Sequence, residues 1–381
     1  MRRRAVSARW DWKTRLESQG LPYHTHEDGL PYWREEACYV FSRQEIKELE
    51  TAVTQLQSLC LKAVEHVLAK DRFAEYGIPA AFVPMIRESW ERDEVSIYGR
   101  FDLAFDGEQA PKLLEYNADT PTSLVEAAIA QWFWLEDQFP GKDQFNSLHE
   151  RLVEAWRRAA GYLPVGTIAF LYQDTWEDHQ TVAYLRNTAD LAGLSTLQMP
   201  LEDLGWDPKQ RAFVDLDERP VRAAFKLYPW EFMWQDAFAP HLLESPRPCT
   251  FLEPAWKMLL SNKALLAVLW ELFPESPYLL PAYLDGPRGM TDYVKKPILA
   301  REGANVEIHG GGQIAQGLKN PCYGSEGYVY QALAKVPNFE GHYPILGTWV
   351  VDGEAAGMGV RESQGLITDN QSAFVPHIIE G

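Results

Sequence analysis

The apolar and polar positions divide the chain into distinct segments. Ile46, Leu49, Val53, Leu56, Cys60, Val64 and Val67 recur at mostly three- and four-residue steps, which predicts one helix with an apolar stripe over 42–70. Ser42 and Glu45 supply a capping box at its start. "TSLVEAAIAQWFWLEDQF" (122–139) reads as a second helix. Between them, residues 97–105 and 112–118 alternate with period two and read as a hairpin. "GTIAFLYQ" (166–173) reads as a buried strand. "WEDHQTVAYLRNTADLAG" (176–193) reads as a helix ending near Gly193, and "STLQMP" as a strand. "FVDLDERPVRAAFKLY" predicts two strands around a turn at Asp217–Pro220.

From about residue 251 the pattern changes. A helix is expected from Asn262-Lys263, and "DYVKKPILA" (292–300) reads as a strand. "REGANVEIHGGGQ" (301–313) reads as a glycine-rich turn, and "GYVYQAL" (327–333) as a strand. "YPILGTWVVDGEAAGMGVRES" reads as a hairpin on Asp352-Gly353. The expected division has three parts. Residues 1–164 hold N-terminal helices and the first hairpin, 165–250 a small α/β unit, and 251–381 the lysine strands, glycine-rich segment and last hairpin. The fold class is therefore mixed, α+β with an α/β part.

Composition narrows the function. The 381 residues are 46% hydrophobic and 24% charged, which excludes a disordered chain and allows two or three lobes. A net charge of −18 argues against nucleic-acid or anionic-membrane partners. It suits a cationic small substrate, and it equally suits solubility alone. Cysteines 38, 60, 249 and 322 lack metal or redox spacing and read as reduced thiols of a cytoplasmic protein. "MRRRAVSARWDWKT" lacks the apolar run of a signal peptide, and "ALLAVLW" (264–270) is too short to span a bilayer.

The hairpin at 98–119, "YGRFDLAFDGEQAPKLLEYNAD", carries charge where a core residue could stand. If Phe105 pairs with Lys112, Asp102 lies opposite Glu115 and Arg100 opposite Asn117. Phe101 then meets Tyr116 and Leu103 meets Leu114, so both faces match in one register. Opposed carboxylates repel unless something positive lies between them. A hard cation such as Mg²⁺ fits, with Asn117 as a third oxygen ligand and Arg100 facing a phosphate. A solvated face with a surface Arg–Asp pair remains open beside it. Lys263 at a helix start and Lys296 late in a strand offer phosphate contacts, and the glycine-rich segment offers a lid. Neither GxGxxG nor a P-loop occurs.

"YGRFDLAFD…LLEYNADTPTS", "KKPILAREGANVEI", "GYVYQAL" and "GVRESQGLITDNQSAFVPH" together resemble the synthetase domain of glutathionylspermidine synthases and their stand-alone relatives, the acid–amine ligases. The resemblance covers nearly the whole chain. It implies a permuted ATP-grasp fold preceded by a pre-ATP-grasp-like α/β unit. It implies ATP and Mg²⁺, two ions, as cofactors. The metal ligands would be Asp102, Glu115 and Asn117. Arg100, Phe101, Asp102, Lys263, Lys296, Gly303, Gln331, Ala332, Leu333 and Leu366 would surround the nucleotide. Arg100, Arg361 and Arg301 would act on the reacting groups, with Arg301 on the lid. Thr120, Thr122, Glu177 and Asp178 would meet substrate.

The implied reaction phosphorylates a carboxylate of a small acid or peptide, and an amine such as a polyamine attacks the acyl phosphate. No segment resembles the amidase half of the bifunctional members, which implies synthesis without hydrolysis. Leu227 stands where the spermidine enzyme has a substrate-contacting hydroxyl, so the resemblance does not decide whether glutathione is the acid. Tyr228 and Trp230 read as packing, Glu231 as a helix start or an aid to amine binding, and His179 as structural. A phosphotransferase and an ATP-binding regulatory or polyamine-sensing protein are the competing readings.

Overall fold

The structure, a computed structural model, describes residues 1–369 and 371–380. The Ser42 capping box forms. Glu45 N donates to Ser42 Oγ, and Ser42 N donates to Glu45 Oε2. The helix it opens, Arg43–Lys70, buries the whole apolar stripe and ends at Asp71 in the left-handed conformation. The second helix opens with a π-helical stretch, Glu126–Ala130, and continues as α-helix over Gln131–Gln138. Such widened turns occur often at functional sites.

Two five-stranded antiparallel sheets hold the candidate site. The first runs Ala373–Val375, Glu354–Ser363, Tyr343–Val351, Tyr98–Ala104, Lys112–Asn117. It fuses the early hairpin to the last one, which turns on Asp352 and Gly353, both at positive φ. The second runs Ala282–Tyr283, Tyr328–Ala332, Tyr293–Pro297, Glu307–Gly310, Gln313–Gln316. A four-stranded parallel sheet, Thr250–Leu252, Ala223–Lys226, Ile168–Tyr172, Thr196–Pro200, carries the helix Trp176–Leu191. Arg2–Ala5, Ala37–Phe41 and His377–Ile379 form a small third layer.

Three expectations change. The two strands around Asp217–Pro220 lie in different sheets. Ala212–Val214 pairs with Gly205–Asp207, whereas Ala223–Lys226 enters the parallel sheet. All four residues of the latter are buried, as a central parallel strand requires. The 301–313 segment is more than a turn: its strand Glu307–Gly310 reverses on Gly311 and Gly312 at positive φ into Gln313–Gln316. The helix expected from Asn262 begins at Leu265, because Asn262 Oδ1 accepts Ala264 N and closes the preceding turn.

The Arg43–Lys70 stripe packs with Phe101, Leu103, Leu113 and Tyr116 from the first sheet. A second core gathers Trp134, Trp156, Phe170, Phe225, Trp349 and Phe374. A leucine buried as fully as Leu56 contributes about 2–3 kcal/mol. The four cysteines are free, three of them buried. Among the described residues no helix is long and apolar enough to cross a membrane.

Candidate active site

The charged hairpin adopts the expected register at its open end: Arg100 opposite Asn117, Phe101 opposite Tyr116, Asp102 opposite Glu115. The register then shifts by one. Leu103 faces Leu113 and Ala104 faces Lys112, so the expected Leu103–Leu114 and Phe105–Lys112 pairs do not form. Leu114 is the extra residue of a β-bulge. The cause lies across the cavity. Lys296 Nζ donates to Leu114 O at 2.9 Å, and Gln331 Nε2 donates to Leu113 O at 2.8 Å. Leu113 turns into the core while Leu114 lines the cavity. Phe101 also points into the core, stacked on Tyr116 with ring centroids 3.9 Å apart.

The polar face is a chain of paired charges. Arg100 donates from Nε and Nη2 to the two Asp102 oxygens at 2.7 and 3.1 Å, and from Nη1 to Thr122 O at 2.7 Å. Asn117 Nδ2 lies 3.1 Å from Asp102 Oδ2 and 3.2 Å from Glu115 Oε1. Lys263 Nζ stands 3.1 Å from Glu115 Oε2 and 2.7 Å from Ala300 O. Lys296 Nζ also reaches Gln331 Oε1 at 2.8 Å. Burial works against the charge of Glu115, but Lys263 and Lys296 outweigh it and hold its carboxyl at about 2. Burial pushes Asp102 up against the pull of Arg100. It brings Lys296 down to about 8, although Glu115 opposes the shift.

Three adjoining cavities meet on this face. The largest, about 840 Å³, lies between the two five-stranded sheets. Asp102, Glu115, Lys263 and Lys296 form its polar end, and Gln331, Ala332, Leu333 and Leu366 line it further along. Gly303 closes one wall at φ +69°. A Cβ there would come within 2.8 Å of Ile367 Cγ2 and Thr368 O. A side cavity shares Asp102 and contains Arg100, Ser123 and Arg361. Arg361 Nη2 donates to Asp369 O, and its buried Nε has no partner. The other side cavity shares Lys263 and contains Asn117, Thr120, Glu231 and Arg301. There Arg301 Nη2 donates to Thr120 Oγ1 at 2.7 Å, and its Nε lies 3.4 Å from Glu231 Oε1.

Fourteen of the sequence-derived residues thus converge, but Phe101, Thr122, Glu177 and Asp178 do not line these cavities, Phe101 because its ring lies in the core. Glu177 and Asp178 occupy the first turn of Trp176–Leu191, where burial and the neighbouring Glu177 raise the Asp178 carboxyl to about 7. Thr122 contributes its carbonyl to Arg100. Two features escaped the sequence reading. One is the fully buried pair Asp119–Lys226, 2.6 Å apart, whose Asp119 also accepts Trp230 N. A lysine ending the apolar run "AAFK" was its signal. The other is Glu126, buried on the π-helical stretch, whose place in a helical pattern gave no sign of burial. Among the described residues no three His, Cys, Asp or Glu side chains gather to hold a metal ion. The oxygen donors here are two carboxylates and an amide.

A family model described as "Glutathionylspermidine synthase preATP-grasp" matches residues 3–380. A Haemophilus influenzae protein named "Putative acid–amine ligase" is 41% identical, with 96% of each chain covered. The trypanothione synthetase of Crithidia fasciculata is 29% identical over 84% of this chain and 53% of its own length. The bifunctional glutathionylspermidine synthetase/amidase of Escherichia coli is 27% identical over 90% of this chain and 59% of its own length. The chain therefore spans little more than half of these last two relatives.

Proposed function

The chain belongs to the glutathionylspermidine synthase preATP-grasp family, and from that premise we propose that it is an ATP- and Mg²⁺-dependent ligase joining a carboxylic acid to an amine. The observation that carries this reading is the convergence of Asp102, Glu115, Asn117, Lys263 and Lys296 on one large cavity between two sheets. Carboxylate strands come before the lysine strand in the sequence, the order of a permuted ATP-grasp fold. The divisions near 164 and 250 belong to the same proposal.

The donor set fits Mg²⁺. Asp102 and Glu115 point oxygens at one spot, and the Asn117 amide lies between them. Turning that amide end for end presents its oxygen there instead, completing three hard donors. An ion held by Asp102, Glu115 and Asn117 would supply positive charge against the charge of a bound phosphate. Lys296 and Lys263 then exchange their present partners for phosphate oxygens. Leu114 O and Gln331 keep Lys296 in place beforehand.

Arg100 and Arg361 flank the side cavity next to Asp102, where the carboxylate becomes an acyl phosphate and is then attacked. Arg301 and Thr120 hold the acid on the other side. The Gly303 segment, pressed against Ile367 and Thr368, excludes water from an intermediate that water would destroy. Glu177 and Asp178 offer negative charge to the amine.

The test is an ADP-release screen of acids and peptides crossed with amines, with mass detection of the product. One pair should yield an amide and ADP in equal amounts, only with Mg²⁺ present. A stable phosphorylated product, or ADP with no conjugate from any pair, would overturn the ligase reading.

A further inference from the structure

The open end of the charged hairpin, where Arg100 faces Asn117, is tied to the ends of two neighbouring parallel strands by two buried ion pairs. Glu253, just past Thr250–Leu252, holds one side. Its carboxylate accepts Ile97 N and Tyr98 N at 3.0 and 3.1 Å and pairs with Lys257 Nζ at 2.7 Å. Lys257 Nζ also donates to Tyr98 O at 2.6 Å, so one ion pair grips both polar groups of the Tyr98 backbone. Lys226, the last residue of Ala223–Lys226, holds the other side. Its Nζ donates to Asp119 at 2.6 Å, and Asp119 also accepts Trp230 N at 3.0 Å. Extending the Arg100–Asn117 pairing by one further step sets Tyr98 opposite Asp119, so the two ties grip facing points. Trp230 joins them, because its ring Nε1 donates to Glu253 O at 3.1 Å. All four charged side chains are buried.

Apolar side chains of similar volume hold a core as firmly as buried ion pairs do. What the pairs add is direction, since each charged bond fixes both a distance and an angle. Here the directed bonds end beside the candidate site. Asn117 stands shortly before Asp119, Thr120 directly after it, and Glu231 directly after Trp230. Arg301 spans Thr120 and Glu231, at 2.7 and 3.4 Å. The gap that it bridges is therefore set by the Asp119–Trp230 bond. Asp119 itself lines the side cavity shared by Asn117, Lys263 and Arg301.

We propose that Asp119 and Lys226, with Glu253 and Lys257, are positioning residues: through Trp230 they fix where Asn117 and Thr120 stand relative to Asp102, Glu115 and Arg301. Their contribution is to the geometry of the site rather than to the stability of the fold. That this geometry serves a nucleotide and its metal ion rests on the ligase reading.

The test compares stability with equilibrium binding of ATP to the full chain. Asp119→Leu with Lys226→Met replaces one ion pair by apolar side chains, and its urea midpoint should stay near that of wild type. Its affinity for ATP in Mg²⁺ should fall about tenfold or more, while its affinity for ATP in EDTA stays within about twofold of wild type. Trp230→Phe keeps an aromatic ring and both ion pairs and removes only the bond to Glu253 O. It should lose about threefold in affinity in Mg²⁺. Wild-type affinity in Mg²⁺ for a stable double variant overturns the proposal and leaves the ligase reading standing. An equal loss with and without Mg²⁺ does the same. If the double variant does not fold, unchanged binding by Trp230→Phe overturns the proposal. Wild-type protein that binds no ATP, or binds it no better with Mg²⁺, overturns the proposal and the ligase reading together.

Discussion

The large cavity between the five-stranded sheets and the Glu126 junction are both rich in charge, yet they are built on opposite terms. In the cavity the two facing strand carboxylates have partners of opposite sign and an amide: Arg100 on Asp102, Lys263 on Glu115, Asn117 between them. At the junction Glu126 and Asp178 face the like charge of Glu177, and several buried polar atoms have no hydrogen-bond partner. The first arrangement is neutralised by side chains already in place.

The strongest way to break the contrast is to remove charge from the cavity. Asp102→Asn keeps the shape and one of the two Arg100 contacts but takes one hard oxygen from the proposed metal set. It should lower kcat about 10³-fold with the thermal midpoint little changed, as steady-state ADP release and calorimetry would show. Turnover like wild type would refute the metal assignment.

Between the two regions stands Asp119–Lys226, paired like the cavity and as buried as the junction. Lys226→Met leaves a buried carboxylate alone and should cost about 3–5 kcal/mol in urea unfolding. The double change Asp119→Leu with Lys226→Met should recover most of it. Recovery is the sharper result, since it separates a stranded charge from lost packing.

The junction should respond in the opposite sense. The Glu126 carboxyl is raised from 4.5 to about 7, so the folded chain holds this proton where the unfolded chain has released it. Its contribution to stability is highest below pH 4.5 and falls as pH rises to about 7, a loss of roughly 3 kcal/mol. Glu126→Gln should remove that slope and unfold later than wild type at about pH 8. Equal slopes in urea melts at about pH 5 and pH 8 would mean that the carboxyl is not held protonated.

The smallest effect concerns Lys296. A lysine is charged below its pKa, here lowered to about 8 by burial. The KM for ATP should stay level below that pH and rise about tenfold per pH unit above it. A flat profile to about pH 9.5 would show that the lysine does not meet phosphate in its charged form.

Much of this was legible in the chain. Period-two alternation fixed three cross-strand pairs of the hairpin because both faces had to match at once. The capping box and the Asp352-Gly353 turn are local chemistry and were read directly. Resemblance placed Gly303, Gln331 and Leu366, which do line the cavity. What escaped was set at a distance. The bulge answers to Lys296 and Gln331, far along the chain. Glu126 is buried with Tyr32, almost a hundred residues earlier, donating to it, and in a helical pattern it looks like any solvated position.

The single extra residue at Leu114 gives the hairpin a counting rule. Loop residues 106–111 lie beyond the last ladder pair, so length changes there leave the carboxylates where they are. Losing one residue between Leu113 and Asn117 straightens the strand and swings Glu115 to the opposite side of the sheet. Insertions and deletions in this stretch are therefore tolerated or fatal according to which side of one leucine they fall.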